Sequence, residues 1–121
     1  MMGAAGRNKF SFENVAKNKR GMELIDNNNE KPECEKIIEN GKDELNATLD
    51  PNLFLNGFNN LNIPSEISSD AGTYLCNETF YKCLYNYPNI KSIFVHIPTL
   101  INLDEALRLG KLGFLEVLDN L

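Results

Sequence analysis

The stretch IKSIFVHIP, residues 90–98, places the tightest limit on what this chain can fold into. It is rich in β-branched and aromatic residues, and Pro88 and Pro98 bound it, so it reads as a strand. Its apolar residues run almost without alternation, which calls for cover on both faces, as in a parallel sheet packed by helices. The flanking segments offer such cover. From Gly72, the residues Cys76, Phe80, Cys83, Leu84 and Tyr87 recur at helical spacing until Pro88 stops the run. LDEALRLGKLGFLEVLDN (103–120) reads as an amphipathic helix with an acidic first turn.

Further upstream, IPSEIS (63–68) is a short strand candidate, and DPNLFLNGFNNLN (50–62) opens with a helix signal. Asp50 suits the N-cap and Pro51 the first helical position, with Leu53, Phe54, Phe58 and Leu61 as the apolar stripe. FSFENVAKN (10–18) alternates as a strand with Phe10 and Phe12 on one face. Residues 19–44 are polar and turn-rich and predict loops, with one short β piece around Leu24. The order of strands and helices predicts an α/β layer fold, a mostly parallel sheet flanked by helices, with residues 63–98 as a parallel strand–helix–strand unit.

At 121 residues the chain fits a single domain, 1–121. A net charge of −5 and the lack of a basic stripe argue against nucleic acid as a partner. No apolar run is long enough for a membrane span, and the N-terminus MMGAAGRNKFSF has no apolar core of signal-peptide length. A soluble, cytoplasmic protein is therefore expected. In that compartment Cys34, Cys76 and Cys83 are expected as free thiols. On one helix Cys76 and Cys83 lie about 10 Å apart along the axis, beyond disulfide reach. With one histidine and no close cysteine pair, zinc is not expected.

The stretch SDAGTYLCN (69–77) is where chemistry concentrates. A cysteine in the first turn of a helix meets the positive end of the macrodipole and unpaired backbone N–H groups, which favour a thiolate and can hold an oxyanion. Cys76 is thus a nucleophile or simply the start of an apolar stripe. Gly72 is expected to permit a close backbone approach in the turn before it. His96 is the only histidine in the chain, so any cysteine–histidine pair must use it; the alternative is a satisfied histidine at a strand end. In a parallel unit the strand ends and the start of the intervening helix share one sheet edge, which lets Cys76 and His96 approach. Glu13 lies inside an apolar strand, where a carboxylate needs a partner unless it faces water at a sheet edge. The two Asn-x-Thr triplets, at Asn46 and Asn77, read as accidental.

These residues resemble a known family. ISSDAGTYLCNETFY (67–81) followed by IFVHIP (93–98) looks like the signature of pyroglutamyl peptidase type I, whose S-x-D-A-G-x-Y-L-C-N-x-x-F-Y and F-x-H-[VI]-P stretches carry the nucleophilic Cys and the His. GRNKFSFENVAKNK is similar to the family's G-R-x-x-[hydrophobic]-x-x-E-[RN] strand, placing the third catalytic residue at Glu13. Asp26-Asn27 and the I-x-x-G-x-x-x-L-x-x-T-L pattern from Ile38 fit too, and the polar loop is closer to eukaryotic members than to bacterial ones.

The resemblance implies a cysteine omega-peptidase that releases N-terminal pyroglutamate from peptides, with Glu13, Cys76 and His96 as catalytic residues and no cofactor. It also implies departures. Members carry a longer N-terminal segment ahead of the positions matching Gly6-Arg7, so the chain is expected to hold the C-terminal part of the fold. Either the missing segment or a second copy would then cover the exposed apolar faces. Many members place an Arg ten residues after the Glu, where this chain has Glu23. The alternative function is a catalytically silent homologue or interaction protein that keeps the triad.

Overall fold

The computed structural model describes residues 2–5, 8–20, 36–72, 75–99 and 101–121. Expectations for Leu24, Glu23, Asp26-Asn27, Cys34 and the polar loop fall outside the described residues. The elements are β1 (Met2–Ala5), β2 (Phe10–Glu13), β3 (Val15–Lys17), β4 (Glu44–Asn46), α1 (Pro51–Asn60), β5 (Ser65–Ser68), α2 (Leu75–Asn86), β6 (Phe94–Pro98) and α3 (Leu103–Asp119). A four-stranded sheet has the order β1-β6-β2-β5, and β3 and β4 form a separate ribbon. The fold is α/β, as the alternation of elements predicts.

The sheet is mixed. β1 runs parallel to β6 and β2 parallel to β5, but β2 and β6 are antiparallel. Because β2 lies between β5 and β6, the segment 63–98 is not the parallel unit expected from its sequence; β5 and β6 run in opposite directions with a strand between them. An apolar run shows only that a strand is covered on both faces, and it carries no information about the direction of its neighbours.

Alternation along β2 assigns the two faces. Phe10 and Phe12 point to one side and join Phe58, Ile63, Ile93, Val95 and Val117 in a core beneath α1 and α3. Phe58 is the hub: its ring meets Phe10 at 5.0 Å, Phe12 at 4.9 Å and Phe114 at 5.4 Å, all edge-to-face. On the opposite side Phe94 joins Ala16, Ala71, Phe80, Tyr81 and Leu84 beneath α2. Ser11 and Glu13, at the alternate positions of β2, belong to this second face.

The helix ends follow from local chemistry. Asp50 accepts the Asn52 N–H at 2.9 Å and Pro51 opens α1, as expected. At the other end Asn62 takes a left-handed φ of 57°, while Asn62 N–H donates to Asn59 O and Ile63 N–H to Phe58 O, both at 3.0 Å. This is a Schellman closure in which Asn fills the position usually held by Gly. Leu53 and Leu61, read as part of the buried stripe, are exposed instead. α3 is capped by Asn102, whose side chain accepts from Asp104 N–H at 2.8 Å and Glu105 N–H at 3.3 Å. Leu103, Leu107, Leu112, Leu115 and Leu118 of α3 are exposed, an apolar surface of some extent.

α1 and α3 pack through glycine. A Cβ at Gly57 would lie 2.6 Å from Val117 Cγ2, and one at Gly113 would overlap the Phe58 ring. Gly113→Ala is therefore expected to destabilise the chain by about 1–3 kcal/mol, the usual cost of overpacking. Urea denaturation reads this directly, and an unchanged midpoint would show that the two helices separate without cost.

Candidate active site

The sequence candidates come together on the α2 face of the sheet. In the β2–β6 register Ser11 faces His96 and Glu13 faces Phe94, so Glu13 and His96 are diagonal neighbours on one face. His96 Nδ1–H donates to Glu13 Oε1 at 2.8 Å. Glu13 is 0 % exposed and His96 2 % exposed. Glu13 is thus neither at a sheet edge nor facing water: β2 is an interior strand of the sheet. A carboxylate holding Nδ1 fixes the imidazole tautomer and leaves Nε2 as the nitrogen able to exchange a proton.

The shared-edge argument by which Cys76 and His96 were expected to approach does not hold in this sheet. His96 is not at a shared carboxyl-terminal edge. Since β6 is antiparallel to β2, the start of β6 lies beside the ends of β2 and β5, where Glu13 also pairs with Ser68. The chain leaves β5 at that edge and enters α2 after residues 69–72 and a short stretch that is not described.

That connection is shaped by Asp70, whose side chain accepts the Gly72 N–H at 2.9 Å, while its own N–H donates to Ser68 Oγ at 3.2 Å. Gly72 has φ +83°, and a Cβ there would find nothing within 4 Å. The glycine serves the left-handed backbone, not the close approach expected from its sequence context.

Cys76 is the second residue of α2, half-buried and a free thiol, as is Cys83. It packs against the cluster that contains Phe80 and Phe94. Phe80 and Phe94 are 5.9 Å apart between ring centroids, and Phe94 and His96 are 5.1 Å apart. Cys76 on α2 and the Glu13–His96 pair on β2 and β6 therefore border one cluster, although no hydrogen bond joins Cys76 to His96 among the described residues. The first turn of α2 also carries Glu78, held by Arg20 at 3.1 Å and Lys82 at 3.0 Å.

The buried stripe of α2 is Asn77, Phe80, Tyr81 and Leu84, rotated from the one read in the sequence; Tyr87 is 56 % exposed. Tyr81 donates its hydroxyl to Lys42 O at 2.6 Å, and burial first, then Tyr85 and Asp43, raise its pKa. In the sequence Asn77 belongs to the family signature and to an Asn-x-Thr triplet, and neither gives it a structural role. The usable signal was its spacing, since it precedes Phe80, Tyr81 and Leu84 by three, four and seven residues on an apolar face.

Among the described residues no group of three His, Cys, Asp or Glu side chains is placed to hold a metal ion, and no helix is long and apolar enough to cross a membrane.

Comparison with known proteins bears on the same site. The family model described as pyroglutamyl peptidase matches residues 1–106. A pyrrolidone-carboxylate peptidase of Thermosipho melanesiensis is 41% identical over 99 residues, covering 78% of this chain and 49% of that protein. One of Finegoldia magna is 36% identical over 101 residues, covering 80% and 47%. Among solved structures, the pyrrolidone carboxyl peptidase of Thermococcus litoralis aligns with a TM-score of 0.80 at 26% identity, over 98% of this chain and 64% of that one. The pyroglutamyl peptidase I of Bacillus amyloliquefaciens aligns with a TM-score of 0.77 at 27% identity, over 96% and 63%. The chain thus spans about half the length of the curated relatives it matches.

Proposed function

Because the chain belongs to the pyroglutamyl peptidase family, we propose that it is a cysteine omega-peptidase acting on peptides that begin with pyroglutamate, in a cytoplasmic, reducing setting where Cys76 stays a thiol. The observation that carries this reading is the buried 2.8 Å hydrogen bond between His96 and Glu13, on the sheet face that α2 covers.

The steps follow from the groups present. Cys76, as thiolate, attacks the carbonyl carbon of the pyroglutamyl–peptide bond, and backbone N–H groups in the first turn of α2 receive the developing oxyanion. His96, as imidazolium, gives its proton to the departing amine as the C–N bond breaks. Glu13 holds the ring and stabilises its positive charge. Water, deprotonated by the imidazole, then attacks the thioester and releases pyroglutamate and the free thiol.

The competing reading is a silent homologue that keeps these three residues. Hydrolysis of a fluorogenic pyroglutamyl amide by the purified chain separates the two. Turnover abolished in Cys76→Ala, by at least about 10³-fold for removal of a covalent nucleophile, is the expected result. No turnover from a folded, monodisperse wild-type chain would favour the silent reading.

A further inference from the structure

Asn77 directly follows the proposed nucleophile, and no step above uses it. Its side chain is nonetheless the most completely committed polar group on α2. The amide oxygen accepts the Lys17 N–H at 2.8 Å, and the amide nitrogen donates to Lys17 O at 2.8 Å and Lys19 O at 3.2 Å. The residue is 1 % exposed. Both ends of the amide are therefore spent on the backbone at the end of β3, which also leaves no free amide for modification of its Asn-x-Thr triplet in the folded chain.

We propose that Asn77 is a positioning residue, clasping the first turn of α2 to β3 and so setting Cys76 against the Glu13–His96 pair. This rests on the reading of Cys76 as the nucleophile. Glu13 and His96 are fixed to one another by the sheet, but Cys76 sits on a different body, the helix, and something must set the distance between the two. The apolar contacts of Phe80 and Leu84 do not do this alone, because apolar packing is not directional. Tyr81 makes a directed bond to Lys42 O, but one turn further along the helix. Asn77 acts in the first turn itself.

The other end of the clasp is anchored where it needs to be. β3 continues β2 after a single residue, Asn14, whose N–H donates to Ser68 O at 2.7 Å and whose carbonyl accepts from Ala47 N–H at 2.8 Å. The segment that bears Glu13 at position 13 thus grips the nucleophile's helix at position 17. The chain of directed contacts runs from His96 to Glu13, along the backbone to Lys17, across to Asn77 and so to Cys76. A displacement of about 1 Å in such a constellation costs on the order of 10²-fold in rate.

The test follows alkylation of Cys76 by iodoacetamide against pH, read by mass spectrometry on the peptide containing Cys76, for the full chain and for Asn77→Ala, with thermal unfolding measured alongside. Glu78, Arg20 and Lys82 around the first turn, and Glu13 and His96 on the sheet, are retained in the variant, so a shift in the profile reports position and not a lost charge. The variant's profile is expected to lie at higher pH than the wild type's, slowing alkylation about tenfold at pH 6. A variant that melts earlier but keeps the wild-type profile overturns the proposal, since Asn77 would then be only a structural tie. Turnover that persists in Cys76→Ala overturns the nucleophile reading, and this proposal with it. Should Asn77→Ala not fold, Asn77→Ser is measured in its place by the same criterion.

Discussion

Glu13→Gln is expected to leave the fold almost as stable as the wild type while lowering turnover of a pyroglutamyl amide by roughly 10²–10⁴-fold. The glutamine carbonyl can still accept from His96 Nδ1–H at the position where Glu13 Oε1 now lies, 2.8 Å away. What disappears is the negative charge that favours the imidazolium, and with it both the thiolate partner and the acid for the leaving amine. Glu13→Ala differs in kind. It leaves the His96 N–H buried without its acceptor, a cost of about 1–3 kcal/mol in stability in addition to the loss of rate. Measuring kcat and urea midpoints on both variants separates the two contributions. Near-wild-type turnover in Glu13→Gln would remove the carboxylate from the mechanism.

The largest loss of stability is expected from Phe58→Ala, about 3–5 kcal/mol. The ring is fully buried, touches Phe10, Phe12 and Phe114, and lies against Gly113 of α3. A domain of this size has about 5–15 kcal/mol in total, so the variant should sit close to the folding threshold. Chemical denaturation would show a midpoint well below the wild type. A loss under about 1 kcal/mol would mean that α1 and α3 collapse onto the cavity.

Much of this molecule was legible in its residues. Asp50 and Pro51 marked the start of α1, the two-residue alternation of Phe10 and Phe12 assigned a face of β2, and the apolar run before Pro98 gave a buried strand. What local pattern does not contain is the direction of a neighbouring strand, so the antiparallel pairing of β2 with β6 is not legible there, and the approach of Cys76 to His96 was argued from a parallel β5–α2–β6 unit that the sheet does not contain. The stripe of α2 was misjudged because Cys and Tyr sit comfortably either inside or outside, while the polar Asn77 that lies within it looks like a surface residue until its backbone partners are known. β1, with its Met-Gly-Ala-Ala sequence, carries too little side-chain pattern to announce a strand. Glu13 itself was marked by a carboxylate in an apolar setting, but its pairing with His96 was indicated by family resemblance and not by spacing. The roles of Glu13, Cys76 and His96 in turnover stand as proposals.

The sheet divides the interior into two cores, and the proposed machinery is distributed unequally between them. The carboxylate and the imidazole hang on the wall itself, whereas the thiol belongs to the compartment under α2 alone. Lesions in the aromatic compartment, around Phe58, should therefore change how many molecules are folded while each survivor works at its normal speed. Lesions in the other compartment should in addition slow the molecules that remain folded.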